Sequence, residues 1–311
     1  MTTGFTFIDL RAGAGSQSLG LERAGFRSTL AIEEDADSRA TIATNRSWRV
    51  LERLPAPQSS DWPPPPTLVA ANLSSAGVTV ASVNRHMQST AFGTAIDTIE
   101  LLSPSAVLLE NVAGYLHARH RDERQKVSAR LQASGYQSHW RLIDSAHHGL
   151  PQSRRRVVLV ALKSSAFRRF DWPAPDDSSR GIGEALLPFM AAEGWAGAAK
   201  WAELARGAAP TIVGGSKRHG GADLGPTRAK AIWYSLGVDP RSIADAAPSA
   251  DALAGSHPRL TNQMIAALQG FPPDWIFVGR KTSVYRQIAG AFPAPTAEAL
   301  GRSVRAALET G

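Results

Sequence analysis

Between Phe5 and Leu162, short apolar runs alternate with segments of helical period, and this alternation constrains the fold more than any other feature of the chain. Phe5–Leu10, Ser28–Ile32, Thr67–Ala71, Ala106–Leu109 and Arg156–Leu162 are too short for core helices and read as buried strands. Ser18–Ala24, Ala36–Asn45, Thr94–Leu102 and Arg124–Ser134 read as helices between them. Strands joined by single helices run parallel, because a parallel neighbour can be reached only by a long crossover. The expectation is a Rossmann-like α/β fold, a doubly wound and mostly parallel sheet with its ligand at the carboxyl ends of the strands. The proline run Trp62–Pro66 fits no element and marks a loop before the strand at Thr67.

From about Ser165 to His257 the rhythm lapses into Ala, Gly and Pro, with a glycine cluster at Gly214–Gly221. Helical patterning returns at Thr261–Gln269 and Thr296–Leu308. Residues 1–165 and 280–311 are therefore expected to form the core, and 166–279 a smaller, irregular domain.

The chain of 311 residues holds no cysteine, which excludes disulfides, thiolate metal sites and a cysteine nucleophile. No metal is expected. Lys and Arg number 34 against 27 Asp and Glu, a formal charge of +7 that favours an anionic partner, nucleic acid first. Runs such as Val157–Leu162 are too short to cross a membrane, and the amino terminus lacks the basic and apolar regions of a signal peptide. A cytoplasmic protein is expected, nucleoid-associated if bacterial, with no membrane partner.

A strand ending in Asp9, then Gly13 and Gly15, then a helix, suits a nucleotide-type ligand. Glycine lets backbone approach the ligand, and the helix start offers free N–H groups. Glu33 or Glu34 ends the next strand, about 20 residues on, where a carboxylate accepts from ribose hydroxyls. Leu108-Leu109-Glu110-Asn111-Val112 ends a later strand in a carboxylate and an amide, and Gln152-Ser153-Arg154-Arg155-Arg156 brings arginines to the start of another.

In this order the motifs resemble the DNA cytosine-5 methyltransferase family. The likeness runs from Phe7-Ile8-Asp9-Leu10 with Gly13 and Gly15, through Glu33, Glu110-Asn111-Val112 and Gln152-x-Arg154-x-Arg156. It closes on Arg259-Leu260-Thr261, Leu268-Gln269-Gly270-Phe271-Pro272 and Tyr285-Arg286-Gln287-Ile288. The resemblance implies an enzyme that flips a cytosine out of duplex DNA. A thiolate adds to C6, a glutamate assists at N3, and C5 takes a methyl group from S-adenosylmethionine. On that template Glu110 is the N3 partner, and Arg154 and Arg156 support the pocket. Asp9, Arg11, Gly13, Gly15 and Glu33 line the cofactor site. Arg85 and the segment carrying Lys217, Arg218, His219 and Arg228 face DNA, where glycines allow close approach to a groove.

The departures are as specific. Asn72-Leu73-Ser74-Ser75 stands where the family has Pro-Cys-Gln, with Ser74 at the nucleophile position. A hydroxyl needs an adjacent base to become a nucleophile, and no Ser-His-Asp pattern is legible. Arg11 replaces an aromatic residue near the adenine, the acid expected near Val50–Leu54 has no clear equivalent although Glu52 is nearby, and Gly290 replaces an asparagine. These changes predict weakened or lost cofactor binding. Phe92 stands where an arginine is common in the loop that closes over DNA.

The resulting expectation is a DNA-binding pseudo-enzyme or the non-catalytic subunit of a methylation or restriction–modification system, with a catalytic methyltransferase as partner. The alternative is an active enzyme modifying a flipped cytosine by a non-cysteine route, with S-adenosylmethionine or a related cofactor. A small-molecule enzyme of Rossmann type accounts for the first 160 residues but not for the recognition-like segment or the basic charge.

Overall fold

The computed structural model describes residues 4–73, 85–176, 180–214 and 222–309. These residues form two compact units.

The first unit comprises residues 1–143, 155–174 and 296–311. Its seven-stranded sheet has the order β3-β2-β1-β4-β5-β7-β6. The strands are β1 (Thr6–Leu10), β2 (Arg27–Ile32), β3 (Val50–Leu51), β4 (Leu68–Asn72), β5 (Ala106–Val112), β6 (Tyr136–Asp144) and β7 (Arg155–Lys163). Strands β1 to β5 pair in parallel, whereas β7 runs antiparallel to β5. The expected Rossmann-like sheet is present, and its central strands carry apolar side chains on both faces, as strands covered by helices on each side must.

Helices α1 (Ser16–Arg23), α2 (Ala36–Asn45), α3 (Arg85–Leu102), α4 (Arg121–Ala133) and α5 (Ser164–Phe167) connect or follow these strands, and most of α11 (Ala294–Glu309) belongs to the same unit. Local chemistry sets their ends. Asp35 caps α2 by accepting from the Ser38 amide at 3.0 Å, and Asp37 lies in the first turn, where the helix dipole favours an anion.

The second unit comprises residues 144–154 and 175–295 and contains α6 (Ile182–Met190), α7 (Ala198–Leu204), α8 (Thr227–Ser235), α9 (Asn262–Leu268) and α10 (Lys281–Gly290). Compactness thus divides the chain at other points than the functional division expected from the sequence. Residues 144–154 and α10 pack within the second unit. The segment after Ser165 is also more helical than its composition suggests, because α6 and the Ala-rich α7 close on each other through glycine. The Gly183 amide donates to the Ala205 carbonyl at 2.8 Å. A Cβ at Gly183 would lie 2.1 Å from the Ala202 carbonyl oxygen.

Strand β6 is absent from the sequence reading. It lies at the sheet edge, and several of its residues, among them Gln137, His139 and Arg141, face solvent, so it has no apolar run.

Two glycine substitutions should separate packing from helix propensity. Gly183→Ala forces backbone apart and is expected to destabilise the protein by about 3 kcal/mol. Gly93→Ala, in α3 with open space at its Cβ position, is expected to stabilise it by about 0.5–1 kcal/mol. Thermal denaturation of both variants reads the opposite signs, and a neutral Gly183→Ala would contradict the close approach.

Candidate active site

The turn from β1 to α1 is built from residues that tolerate a left-handed backbone. Arg11, Gly13 and Gly15 have φ of 69°, 56° and 87°. For Arg11 this conformation stores strain, of the kind concentrated at ligand-binding turns. Gly15 is the N-cap of α1 and no side chain caps the helix, so its first N–H groups face the turn. At Gly13 the space a Cβ would occupy is open.

Two carboxylates brace this turn. Glu33, at the end of β2, accepts from the Gly13 amide at 2.7 Å and from the Asp35 amide at 2.8 Å. Arg39 secures the same corner by donating to the Glu33 and Glu34 carbonyls at 2.9 and 2.8 Å. It also pairs with Glu52 at 3.2 Å. Asp9 is fully buried and accepts from the Ser18 hydroxyl at 2.6 Å and the Gln17 amide at 3.4 Å. Burial pushes the Asp9 carboxyl up to about 7, opposed by the Ser18 hydrogen bond and assisted by the nearby Glu33 charge. Asp9 therefore supports the turn from beneath.

Sequence reasoning missed the polar first turn of α1. Ser16 Oγ and Gln17 Oε1 are buried and have no hydrogen-bond partner. The available signal was the polar run Ser16-Gln17-Ser18 at the start of an otherwise apolar segment.

At the carboxyl end of β5, Glu110 is buried and its Oε1 lies 2.8 Å from Arg156 Nε on β7. The antiparallel register places Glu110 opposite Val158 and Val112 opposite Arg156. Glu110 and Arg156 are thus diagonal neighbours on one face, a separation that long side chains span. Burial holds the Arg156 guanidinium below its ordinary value, and the Glu110 carboxylate offsets only part of that shift. Asn111, the next residue of β5, is also buried, and its Oδ1 accepts from the Val112 amide at 2.7 Å.

Arg154 has a different role from Arg156. Within the second unit its buried guanidinium donates to the Ile212 carbonyl at 2.8 Å and to the Ala289 and Ala291 carbonyls at 2.8 and 2.9 Å. Gln152 accepts from the Ile212 amide at 2.9 Å and donates to the Leu268 carbonyl and the Gln269 side chain, each at 3.0 Å. Tyr285 completes this network, its hydroxyl donating to the Val213 and Asp223 carbonyls. Arg154 thus clamps three backbone carbonyls of the second unit.

Phe92, read from the sequence as part of a loop, lies in α3. It is buried in an aromatic cluster of the first unit, stacked on Tyr115 with centroids 4.8 Å apart and tilted against Trp140 at 6.1 Å. A side chain packed there does not reach for DNA.

Arg228 is exposed in the first turn of α8, and Trp201 and Trp233 are core residues. Tyr234 is exposed and lies 4.3 Å from the His257 ring. Arg85 opens α3. Ser74, Lys217, Arg218 and His219 lie outside the described residues. Among the described residues no cluster of His, Asp or Glu could hold a metal, and no helix is long and apolar enough to cross a membrane.

A profile of the C-5 cytosine-specific DNA methylases matches residues 5–306. The chain belongs to that family. It is 43% identical over 308 residues to the Type II methyltransferase M.NaeI of Lentzea aerocolonigenes, covering 97% of this chain and 75% of that protein. It is 35% identical to M.NgoMIV of Neisseria gonorrhoeae, covering 98% of both chains. The fold is similar to that of a DNA modification methyltransferase from an Escherichia coli prophage, with TM-score 0.68, 20% identity and coverage of 98% and 99% of the two chains. It is also similar to the Spodoptera frugiperda DNMT2 structure, with TM-score 0.63, 12% identity and coverage of 97% and 99%.

The family implies S-adenosylmethionine, and the β1–α1 turn fits that molecule. The open Gly13 position and the start of α1, which no side chain caps, suit a ligand carrying hydrogen-bond acceptors.

Glu110→Ala leaves the Arg156 charge buried without its carboxylate and is expected to cost about 3–5 kcal/mol. Pairing it with Arg156→Met should recover most of that loss in a urea titration. Failure of the double variant to recover would mean that the pair does not act as a unit. Asp9 gives the second prediction. Its folded value of about 7 lies above the ordinary 3.8, so the folded chain holds the extra proton between them. Stability should fall as pH rises from about 4 to 7 and level off above, by up to roughly 4 kcal/mol from this one group. Asp9→Asn should remove that part of the slope when melting is followed against pH. An unchanged slope would show that Asp9 ionises freely in the folded chain.

Proposed function

We propose that this chain binds duplex DNA, a flipped cytosine and S-adenosylmethionine, but does not by itself carry out cysteine-dependent methyl transfer. It serves a DNA modification or restriction–modification system as a pseudo-enzyme or a non-catalytic subunit whose catalytic partner supplies the thiol. The observation that carries this reading is the absence of cysteine from all 311 residues of a chain that retains the buried Glu110–Arg156 pair.

Glu110 is held by Arg156 with its carboxylate at the end of β5, where it serves N3 of the cytosine. When bound, S-adenosylmethionine supplies an electrophilic methyl group. Glu33 takes the ribose hydroxyls while bracing Gly13, and Gly13 and Gly15 let the backbone close on the ligand. This pocket chemistry supports retained cofactor binding in spite of Arg11. Lys217, Arg218, His219 and Arg228 contact the duplex, and their charge makes binding salt-dependent. The missing step is addition to C6. A serine hydroxyl at position 74 is far less acidic than a thiol and needs a base to deliver it.

The buried Glu110–Arg156 pair also favours a second reading, because two desolvated charges are costly to keep without a use. In that reading the chain modifies the flipped base by a non-cysteine route.

Nucleoside mass spectrometry of duplex DNA incubated with the protein and S-adenosylmethionine tests both. The expected result is no 5-methylcytosine from the unsubstituted chain, and its appearance when cysteine is placed in turn at Ser74 and Ser75. A product formed by the unsubstituted chain and abolished by Glu110→Ala would establish the second reading instead.

A further inference from the structure

Helix α8 and the segment that follows it line a groove of about 750 Å³ within the second unit. Its walls include Lys230, Tyr234, Asp239, Arg241 and His257, none of which has a part in the cofactor or cytosine chemistry above. That volume is in the range of small-ligand sites and suits one nucleotide rather than a length of duplex.

Two features give the groove its chemistry. The first is a pair of accessible rings. Tyr234 is 62% exposed although the adjacent Trp233 is fully buried. Its ring centroid lies 4.3 Å from that of His257, which is also exposed, and the two planes are tilted by 60°. An aromatic side chain held at the surface offers its face to a planar, apolar partner.

The second feature is a fixed cation. Arg241 donates to Asp239 from Nε and from Nη2, each at 2.9 Å. This fork leaves Nη1 without a partner among the described residues, on a side chain that is 77% exposed. Arg259 donates to the same carboxylate at 3.0 Å. Hydrogen bonds from Arg241, with a smaller contribution from Arg259, hold Asp239 well below the usual carboxylate range, so Arg241 stays oriented at neutral pH. Two guanidinium groups on one carboxylate leave a surplus positive charge, which suits a phosphate. Lys230 adds none, because Asp223 neutralises it at 2.8 Å.

An aromatic face beside a phosphate-binding cation matches a nucleoside phosphate. The base must be unpaired, because a base inside a duplex has its faces covered by its neighbours and shows only its edges. We propose that Tyr234 and His257 stack the base of a single unpaired nucleotide while Arg241 binds its phosphate. This activity goes beyond the binding of duplex DNA and of the flipped cytosine, and it rests on different residues. A free nucleotide and a single-stranded stretch of nucleic acid both carry the chemistry required.

Calorimetric titration of the full chain with thymidine 5′-monophosphate and with a short thymidine oligonucleotide tests the proposal. Thymine is neither the base of S-adenosylmethionine nor the flipped target, so neither ligand depends on those readings. Tyr234→Ala should weaken binding by about tenfold to a hundredfold, the range for a lost base-stacking ring, whereas Tyr234→Phe should retain it. Arg241→Gln should weaken the monophosphate by about tenfold and leave unphosphorylated thymidine unaffected. The melting temperature of Tyr234→Ala, a change at an exposed position, should match that of the full chain. A preference for the monophosphate would assign the groove to free nucleotides, and a preference for the oligonucleotide would assign it to single strands. Failure of the full chain to bind either ligand would overturn the proposal. Affinities unchanged in both Tyr234→Ala and Arg241→Gln would overturn it as well.

Discussion

A carboxylate and a guanidinium, buried together on the diagonal of one antiparallel strand pair, set the terms for the rest of the first unit. Glu110 and Arg156 meet only because β7 turns against the direction of β5, bringing Val158 opposite Glu110 and Arg156 two residues further along. Had β7 joined the sheet in parallel, the residues would leave the same strand end in different registers. Two buried charges of this kind must remain together, since separation leaves either one desolvated and uncompensated. The pair therefore ties the strand order to the chemistry at the carboxyl end of β5.

The β1–α1 turn solves a related problem with hydrogen bonds. Glu33 spans from β2 to the Gly13 amide, and Asp9 lies beneath α1, holding Ser18 and Gln17. Both acids appeared from the sequence as ligand-facing groups. In the folded chain each is also part of the scaffold, and Asp9 is so deeply buried that its ionisation is itself a structural event. The buried polar residues beside it, Ser16 and Gln17, are the ones with unused hydrogen-bonding capacity.

In the second unit, Arg154, Gln152, Gln269 and Tyr285 add a set of bonds to backbone carbonyls and amides to an apolar core that includes Trp201, Trp233 and Phe271. Arg154 alone joins Ile212 to Ala289 and Ala291. The motif Gln152-x-Arg154-x-Arg156 therefore does not act as one structural piece. Its residues belong to two different units, with Gln152 and Arg154 bracing one and Arg156 pairing in the other. Phe92 shows the same limit from the apolar side. A phenylalanine in a loop-like stretch looked like a lost DNA contact, but Tyr115 and Trp140, distant in the chain, give it a buried place.

By itself the sequence determined the alternation of strands and helices, the glycine turn, the acids at the ends of β2 and β5, and the absence of a thiol. Each follows from local spacing, backbone stereochemistry or composition, which need no knowledge of distant neighbours. It also carried the ordered motifs by which the family is recognised. Tertiary structure decided which of two arginines in one motif pairs with Glu110, that Asp9 lies inside the scaffold, and that Gln17 keeps an unpaired oxygen. It also decided that the polar run Tyr136–Asp144 is an edge strand. These outcomes depend on which groups lose their water and which partners remain within hydrogen-bond reach. Burial and register are relations between segments far apart in the chain, and they come into being only when the sheet is assembled.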